Sequence, residues 1–79
     1  TRSLAQELAP AIRVNALAPG LIQASYLDEK NEIRKIFERR ALLKRLVKPD
    51  EVANTLLFMA TNTALTGAVI TLDCGYTSN

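Results

Sequence analysis

A phenol and an ammonium group stand four residues apart in this sequence, at Tyr26 and Lys30. On an α-helix, side chains with this spacing share one face. An ammonium group beside a phenol favours the phenolate, the form that accepts a proton in acid–base catalysis. The spacing alone therefore raises a proton-transfer pair as one hypothesis. The alternatives are a loop tyrosine that lines a cleft and a tyrosine that faces solvent.

A second stretch could bind a ligand through its backbone. The residues Arg13-Val14-Asn15-Ala16-Leu17-Ala18-Pro19-Gly20 form an apolar run, typical of a strand, that stops at Pro-Gly. In open α/β sheets, ligands bind at the carboxyl edge of the strands, which is where this turn would lie. A Pro-Gly turn also ends many strands that bind nothing, so the turn by itself leaves both interpretations open.

Hydrophobic spacing predicts the elements that would position these groups. Apolar residues recur at helical spacing up to Ala9, and Pro10 ends this first helix because proline disfavours the α conformation in the residue before it. A strand is predicted over 12–17, in a sheet covered on both faces. After the Pro-Gly turn, an irregular loop is expected over 21–27.

Two further helices and a strand complete the predicted order. Asp28 is expected to cap a helix whose apolar positions are Ile33, Ile36, Phe37 and Ala41. A third helix begins at Pro49, ends near Thr61 and presents a broad apolar face that includes Leu56. The last strand covers 68–72. Two strands joined by a long helical crossover are most simply parallel, so the sequence predicts an α/β fold with half of a doubly wound sheet.

The composition is that of one small globular unit. With 79 residues, 48% apolar content and a net charge of +2, the chain has room for a single domain. A chain of this size buries only about 60 to 65% of its unfolded surface, which is near the lower limit for independent folding. The single cysteine, Cys74, and the absence of histidine exclude an internal disulfide and a zinc cluster, so a cytoplasmic location is expected. No apolar stretch approaches the roughly 20 residues of a membrane span.

Three stretches of this sequence resemble the C-terminal part of the short-chain dehydrogenase/reductase family. They are the first helix, the strand that ends at Pro19-Gly20, and the closing stretch Thr66-Gly67-Ala68-Val69-Ile70-Thr71-Leu72-Asp73-Cys74-Gly75. The resemblance spans essentially the whole chain. It implies that residues 1–79 are the C-terminal segment of a single NAD(P)-binding, Rossmann-like domain. The family's Gly-rich cofactor turn, its catalytic Ser and its Tyr-x-x-x-Lys pair would all precede Thr1, so no catalytic residue is expected within the chain.

The resemblance also implies which residues meet the cofactor, NAD or NADP. The Pro-Gly turn would lie beside the nicotinamide ring, and Ile22 would offer backbone groups to the carboxamide. The family usually has threonine at the position of Ala24, and here the adjacent Ser25 could supply the hydroxyl instead. The expected cofactor-binding residues are therefore Pro19, Gly20, Ile22 and Ser25, and no metal ligand is expected.

Two features of the sequence depart from the family's pattern or only imitate it. In the family, the catalytic pair lies on the helix whose last part corresponds to residues 1–9 here. Tyr26 instead follows the Pro-Gly turn, in the substrate-covering region. This position argues against Tyr26 and Lys30 as the catalytic pair. Cys74 stands where the family commonly has glycine, so the backbone is expected to take a slightly different path there. Its side chain is expected to be a small buried apolar group.

The resemblance implies the C-terminal portion of an oxidoreductase that transfers a hydride between nicotinamide and a carbonyl or alcohol substrate. This portion would contribute the nicotinamide-facing loop, substrate-covering helices and contacts of a homo-oligomer, a tetramer or a dimer. Two alternatives stay open: a non-catalytic remnant that acts as an oligomerisation or interaction module, and a small basic protein that binds anionic partners through residues 34–48. Interspersed acidic residues favour a solvated helix face there, with no nucleic acid bound.

Overall fold

The computed structural model describes residues 1–24 and 26–78. Along the chain it contains α1 (Arg2–Leu8), β1 (Ala16–Pro19), α2 (Glu32–Arg40), α3 (Pro49–Thr61), β2 (Val69–Leu72) and a short 3₁₀ turn (Tyr76–Ser78). The predicted order of helix, strand, two helices and strand is confirmed, and the 3₁₀ turn was not predicted. Within the described residues, no helix has the length and apolarity needed to cross a membrane.

The two strands form a parallel sheet, which confirms the predicted α/β fold class. Their register runs from Ala16 opposite Val69 to Pro19 opposite Leu72. β1 begins later than the sequence predicts, because Val14 is bonded to the turn before β2. Its N–H donates to Oγ1 of Thr66 at 3.1 Å, and its carbonyl accepts from the N–H of Gly67 at 2.8 Å.

Arg13, which interrupts the apolar run in the sequence, docks the end of α3 beside β1. Its guanidinium donates to four backbone carbonyl oxygens at 2.7 to 3.1 Å, those of Met59, Ala60, Asn62 and Leu65. The last carbonyls of a helix have no partner within it and carry its partial negative charge. Arg13 therefore satisfies groups that would otherwise depend on solvent.

Asn15, the second polar residue in that run, joins the same two regions. Its Nδ2 donates to the carbonyl oxygen of Leu65 at 2.8 Å, and its Oδ1 accepts from the N–H of Ala68 at 3.1 Å. Both partners lie in the segment between α3 and β2. The side chain thus holds the entry to β2 beside the entry to β1.

The predicted cap of α2 is wrong by three residues. Asn31 is the cap, and its Oδ1 accepts from the N–H groups of Ile33 at 2.9 Å and Arg34 at 3.2 Å. Asp28 is engaged differently, because its Oδ1 accepts from the N–H of Lys30 at 2.9 Å. This local turn uses the carboxylate that the prediction assigned to the helix.

The buried side chains lie mostly in the connections rather than on the helices. Those below one-tenth exposure are Ala5, Leu27, Ala41, Leu46, Val47 and Met59. The predicted apolar face of α3 is only partly packed, since Leu56 is 49% exposed while Met59 is buried. Two strands present too narrow a sheet to cover a helix face that wide.

The segment after β2 packs against α2 and its C-terminal connection. The rings of Phe37 and Tyr76 stack with centroids 4.6 Å apart, and the N–H of Leu43 donates to the carbonyl of Cys74 at 3.0 Å. Cys74 has φ of 55°, in the left-handed region that favours glycine, and the expected difference in backbone path from the family stays a prediction. Its free thiol is half-buried rather than buried.

Candidate functional site

The Pro19-Gly20 turn lies at the carboxyl edge of the sheet, as predicted. Pro19 is the last residue of β1, and the N–H of Gly20 donates to the carbonyl of Leu72 at 2.9 Å, at the end of β2. A β-carbon on Gly20 would come within 2.7 Å of Cβ of Asp73. The residues that follow the two strands therefore touch each other, and a glycine is needed for this close approach.

Ile22 is held in a second parallel contact beyond the sheet, an isolated bridge to Val47. The N–H of Val47 donates to the carbonyl of Leu21 at 3.2 Å, and the N–H of Gln23 donates to the carbonyl of Val47 at 2.7 Å. Because the bridge uses the backbone groups of residues 21 and 23, the N–H and C=O of Ile22 itself point away from Val47. One donor and one acceptor thus lie together on the side of the loop opposite Val47.

Arg45 and Glu51 hold the chain on both sides of Val47. Two nearly parallel contacts join the side chains, Nη1 to Oε1 at 2.7 Å and Nη2 to Oε2 at 2.9 Å. Arg45 also donates to the carbonyl of Leu46 at 3.1 Å, and Glu51 Oε1 accepts from the N–H of Lys48 at 2.9 Å. Two hydrogen bonds lower the pKa of Glu51 to about 2: the one from the Arg45 guanidinium has the larger effect, and the one from the Lys48 N–H has the smaller.

The sequence did not predict that Arg45 and Glu51 would hold the chain around Val47. Val47 is 1% exposed, although the sequence around it shows mainly basic residues. One local signal was available, because Pro49 at the first helical position and Glu51 in the first turn suggest a carboxylate that caps the helix start. The partner of Val47, in contrast, lies far away along the chain.

An open cleft of about 570 Å³ borders the loop. Its walls include Gln23 and Ala24 from the loop and Lys48, Pro49 and Asp50 from the start of α3. The lining carries charges of both signs. A polar or mixed-character small molecule suits such a surface better than a strongly anionic one.

Three of the four predicted cofactor-binding residues lie in one continuous segment that begins at the last residue of β1, namely Pro19, Gly20 and Ile22. The fourth, Ser25, lies outside the described residues. Tyr26 is 79% exposed, and Tyr26 and Lys30 lie in turns rather than on a helix. They therefore do not share the helical face that the proton-transfer hypothesis requires.

Five of the seven basic residues between 34 and 48 are exposed, which agrees with the expected solvated helix face. Arg34 is half-buried, its Nε donates to Oε1 of Glu38 at 2.5 Å, and its Nη1 donates to the carbonyl of Leu27 at 2.6 Å. Lys44 Nζ donates to the carbonyl of Arg39 at 2.7 Å. Arg45 is bonded to Glu51, so Arg34, Lys44 and Arg45 all donate hydrogen bonds to groups of the same chain.

Known proteins resemble this chain over nearly its whole length. A family profile described as enoyl-(acyl carrier protein) reductase matches residues 1–77. The chain is 38% identical over 77 residues to the short-chain dehydrogenase/reductase homolog YusR of Bacillus subtilis, an alignment that covers 98% of this chain and 60% of that protein. It is 42% identical over 81 residues to the 3-oxoacyl-(acyl-carrier-protein) reductase FabG of Aquifex aeolicus, covering 95% of this chain and 32% of FabG.

A solved structure shows the same fold. The FolM alternative dihydrofolate reductase 1 of Brucella canis, crystallised with NADP, superposes with a TM-score of 0.84 at 35% identity. The superposition covers 100% of this chain and 31% of the Brucella chain. This chain therefore spans about a third of FabG and of the Brucella enzyme, and a larger share of YusR.

Proposed function

The chain belongs to the short-chain dehydrogenase/reductase family, and from that premise we propose that it forms the nicotinamide-facing part of an NAD(P)-dependent oxidoreductase. In this proposal residues 1–79 are the C-terminal segment of one Rossmann-like domain. The observation that carries the proposal is the N–H and C=O pair of Ile22, which faces away from Val47 on a loop at the carboxyl edge of a parallel sheet.

The residues of this loop fit the amide end of the cofactor. The N–H of Ile22 can donate to a carboxamide oxygen, and its C=O can accept from the carboxamide nitrogen. Pro19 and Gly20 would border the ring, and Ser25 would add a hydroxyl. The three glycines of the chain are dispersed, so they form no turn of the kind that holds a pyrophosphate. The proposal therefore assigns this chain only the nicotinamide end.

The contribution of these residues is orientation. When bound, NAD(P) supplies the hydride donor or acceptor. A carboxamide held at two points fixes the rotation of the ring to which it is attached, and hydride transfer between two carbon atoms requires such alignment. The cleft beside Gln23 and Ala24 would take a carbonyl or alcohol substrate, with α2 and its preceding loop as the cover. The substrate class is supported by the name of FabG, a 3-oxoacyl reductase.

A pair of substitutions at one position tests this role. The protein is expressed from its complete reading frame, and dissociation constants are measured for NADPH, for NADH and for adenosine 2′,5′-bisphosphate, which lacks nicotinamide. Ile22→Pro removes the N–H donor and should weaken binding of the preferred cofactor about tenfold, as expected for one lost hydrogen bond. Ile22→Ala keeps the donor and should bind nearly as the wild type does.

Binding of the adenosine fragment should be equal in all three proteins. Equal weakening by Ile22→Pro and Ile22→Ala would contradict the backbone contact, and a wild type that binds NADPH and NADH no better than the fragment would contradict the function. Residues 1–79 alone are expected to show no dehydrogenase activity and no specific cofactor binding, because they lack the family's pyrophosphate turn and catalytic pair.

A second candidate is a non-catalytic interaction module. It is favoured by three consecutive exposed apolar residues of α3, Leu56, Leu57 and Phe58, which are 49 to 63% exposed. Such side chains suit a packed contact, either within a longer chain or in the homotetramer or dimer that the first proposal also includes. Intact mass and a native oligomer measurement separate the two candidates: a short chain that joins a longer relative without cofactor binding would support the module. A cytoplasmic location stays a prediction.

A further inference from the structure

Two hydrogen bonds flank Val47, and both end on the Arg45–Glu51 ion pair. The carbonyl before Val47, that of Leu46, accepts from Arg45, and the N–H after it, that of Lys48, donates to Glu51. The pair thus binds the backbone on each side of Val47. The N–H and C=O of Val47 itself remain for the loop that contains Ile22.

The segment 46–48 has little freedom to move independently of this pair. Leu46 is 5% exposed and Val47 is 1% exposed, so both side chains are packed into the interior. Because the pair fixes the flanking backbone and the interior fixes the side chains, Val47 presents its N–H and C=O in one orientation. The bridge transmits that orientation to residues 21–23.

We propose that Arg45 and Glu51 are positioning residues that aim the peptide N–H and C=O of Ile22. The ion pair sets the position of Val47, Val47 sets the register of Leu21 and Gln23, and the groups of Ile22 then face away from Val47. The inference rests on the proposed function for what Ile22 binds, the cofactor carboxamide. The positioning itself concerns residues of this chain alone.

The solvent exposure of the Arg45–Glu51 pair distinguishes a positioning role from a large contribution to folding stability. Its side chains are 41% and 34% exposed, and ion pairs that remain in contact with solvent contribute little to folding stability. The Arg34–Glu38 pair offers a matched control. It joins the same residue types at 2.5 Å, with side chains 18% and 37% exposed, and Arg34 also donates to the carbonyl of Leu27 rather than to the backbone beside Val47.

The experiment compares Glu51→Gln with Glu38→Gln in the protein expressed from its complete reading frame. The first readout needs no cofactor: amide hydrogen exchange at Gln23 and Val47, the two N–H groups of the bridge. Exchange at both should become about tenfold faster in Glu51→Gln and stay unchanged in Glu38→Gln, since only the first loosens the bridge. The melting temperature should fall only slightly in Glu51→Gln, because the pair is in contact with solvent, and should stay unchanged in Glu38→Gln.

The second readout is the dissociation constant for NADPH, for NADH and for adenosine 2′,5′-bisphosphate. Glu51→Gln should weaken binding of the preferred cofactor, NADPH or NADH, at least threefold while leaving the fragment unchanged, and Glu38→Gln should change neither. Unchanged exchange at Gln23 and Val47, or equal weakening of the preferred cofactor and the fragment, would overturn the positioning role. A wild type that binds neither NADPH nor NADH better than the fragment would contradict the proposed function instead, while the exchange rates would still decide whether the pair positions the loop.

Discussion

A β-carbon at Gly20 would lie 2.7 Å from Cβ of Asp73 and 3.0 Å from its Cα. The turn after β1 and the turn after β2 therefore meet at a distance that only a residue without a side chain allows. The N–H of Gly20 strengthens this contact by donating to Leu72, directly before Asp73. The close approach of Asp73 therefore explains why residue 20 is a glycine.

Gly20→Ala should destabilise the protein by about 1 to 3 kcal/mol, the usual cost of forcing an extra carbon into a packed site. The free energy of unfolding in denaturant measures the loss. In an Asp73→Gly background, which removes the obstructing Cβ, the same substitution should cost clearly less. Strict additivity of the two changes would show that Asp73 does not impose the glycine. Any loss of cofactor binding in Gly20 variants should be measured on the folded fraction.

Arg13→Ala should cost about 2 to 3 kcal/mol of unfolding free energy, because a charged donor to four carbonyl oxygens is lost at the end of α3. Arg13→Lys should fall between wild type and Arg13→Ala, since one ammonium group cannot reproduce the fork of the guanidinium. Arg2→Ala, at an exposed position of α1, is the control and should be nearly neutral. A loss at Arg13 no larger than at Arg2 would contradict the docking role.

Cys74→Gly should stabilise the protein by about 0.5 to 1 kcal/mol, because a residue with a side chain is held there at φ of 55°. The neighbouring change Gly75→Ala should act in the opposite direction. Gly75 has φ of 85°, and its β-carbon would lie 2.7 Å from Cβ of Leu42. Thermal and denaturant unfolding of both variants measure the effects, and a destabilised Cys74→Gly protein would refute the assignment of strain.

Stability should fall in acid partly through Glu51. Arg45 and the N–H of Lys48 lower the pKa of Glu51 from its ordinary 4.5 to about 2 in the folded protein. Its contribution is therefore complete above about pH 4.5 and is lost as the pH falls towards 2. Hydrogen bonds from Thr77 also lower the pKa of Asp73, so acid sensitivity should persist in part when Glu51 is replaced.

Unfolding free energies measured at several pH values between 6 and 2, a range that covers the shifted carboxylates, test this directly. The wild type should lose stability more steeply below pH 4.5 than Glu51→Gln does. High salt should reduce the difference, because the pair is in contact with solvent. Parallel curves for the two proteins would mean that the Arg45–Glu51 pair does not contribute to the acid transition.

The sequence by itself determined the features that depend on neighbouring residues. Pro10 ends α1, and Pro49 begins α3, because proline fixes its own φ and restricts the residue before it. The apolar run before Pro19-Gly20 and the β-branched residues of 69–72 were sufficient to predict two parallel strands. The position of the ligand-facing loop at the sheet edge followed from that topology.

Only the tertiary structure decided which distant groups meet. The partners of Arg13 lie 46 to 52 residues away, and Val47 bridges to Ile22 across a helix and two loops. Such pairings depend on the path of the whole chain, since any arginine or buried valine has many possible partners. The local sequence also did not decide which residue caps α2, because Asp28 and Asn31 are both suitable caps. In the structure, Asp28 accepts from the N–H of Lys30 in a turn, and Asn31 caps the helix. The orientation of Ile22's peptide groups follows from contacts that no short stretch of sequence contains.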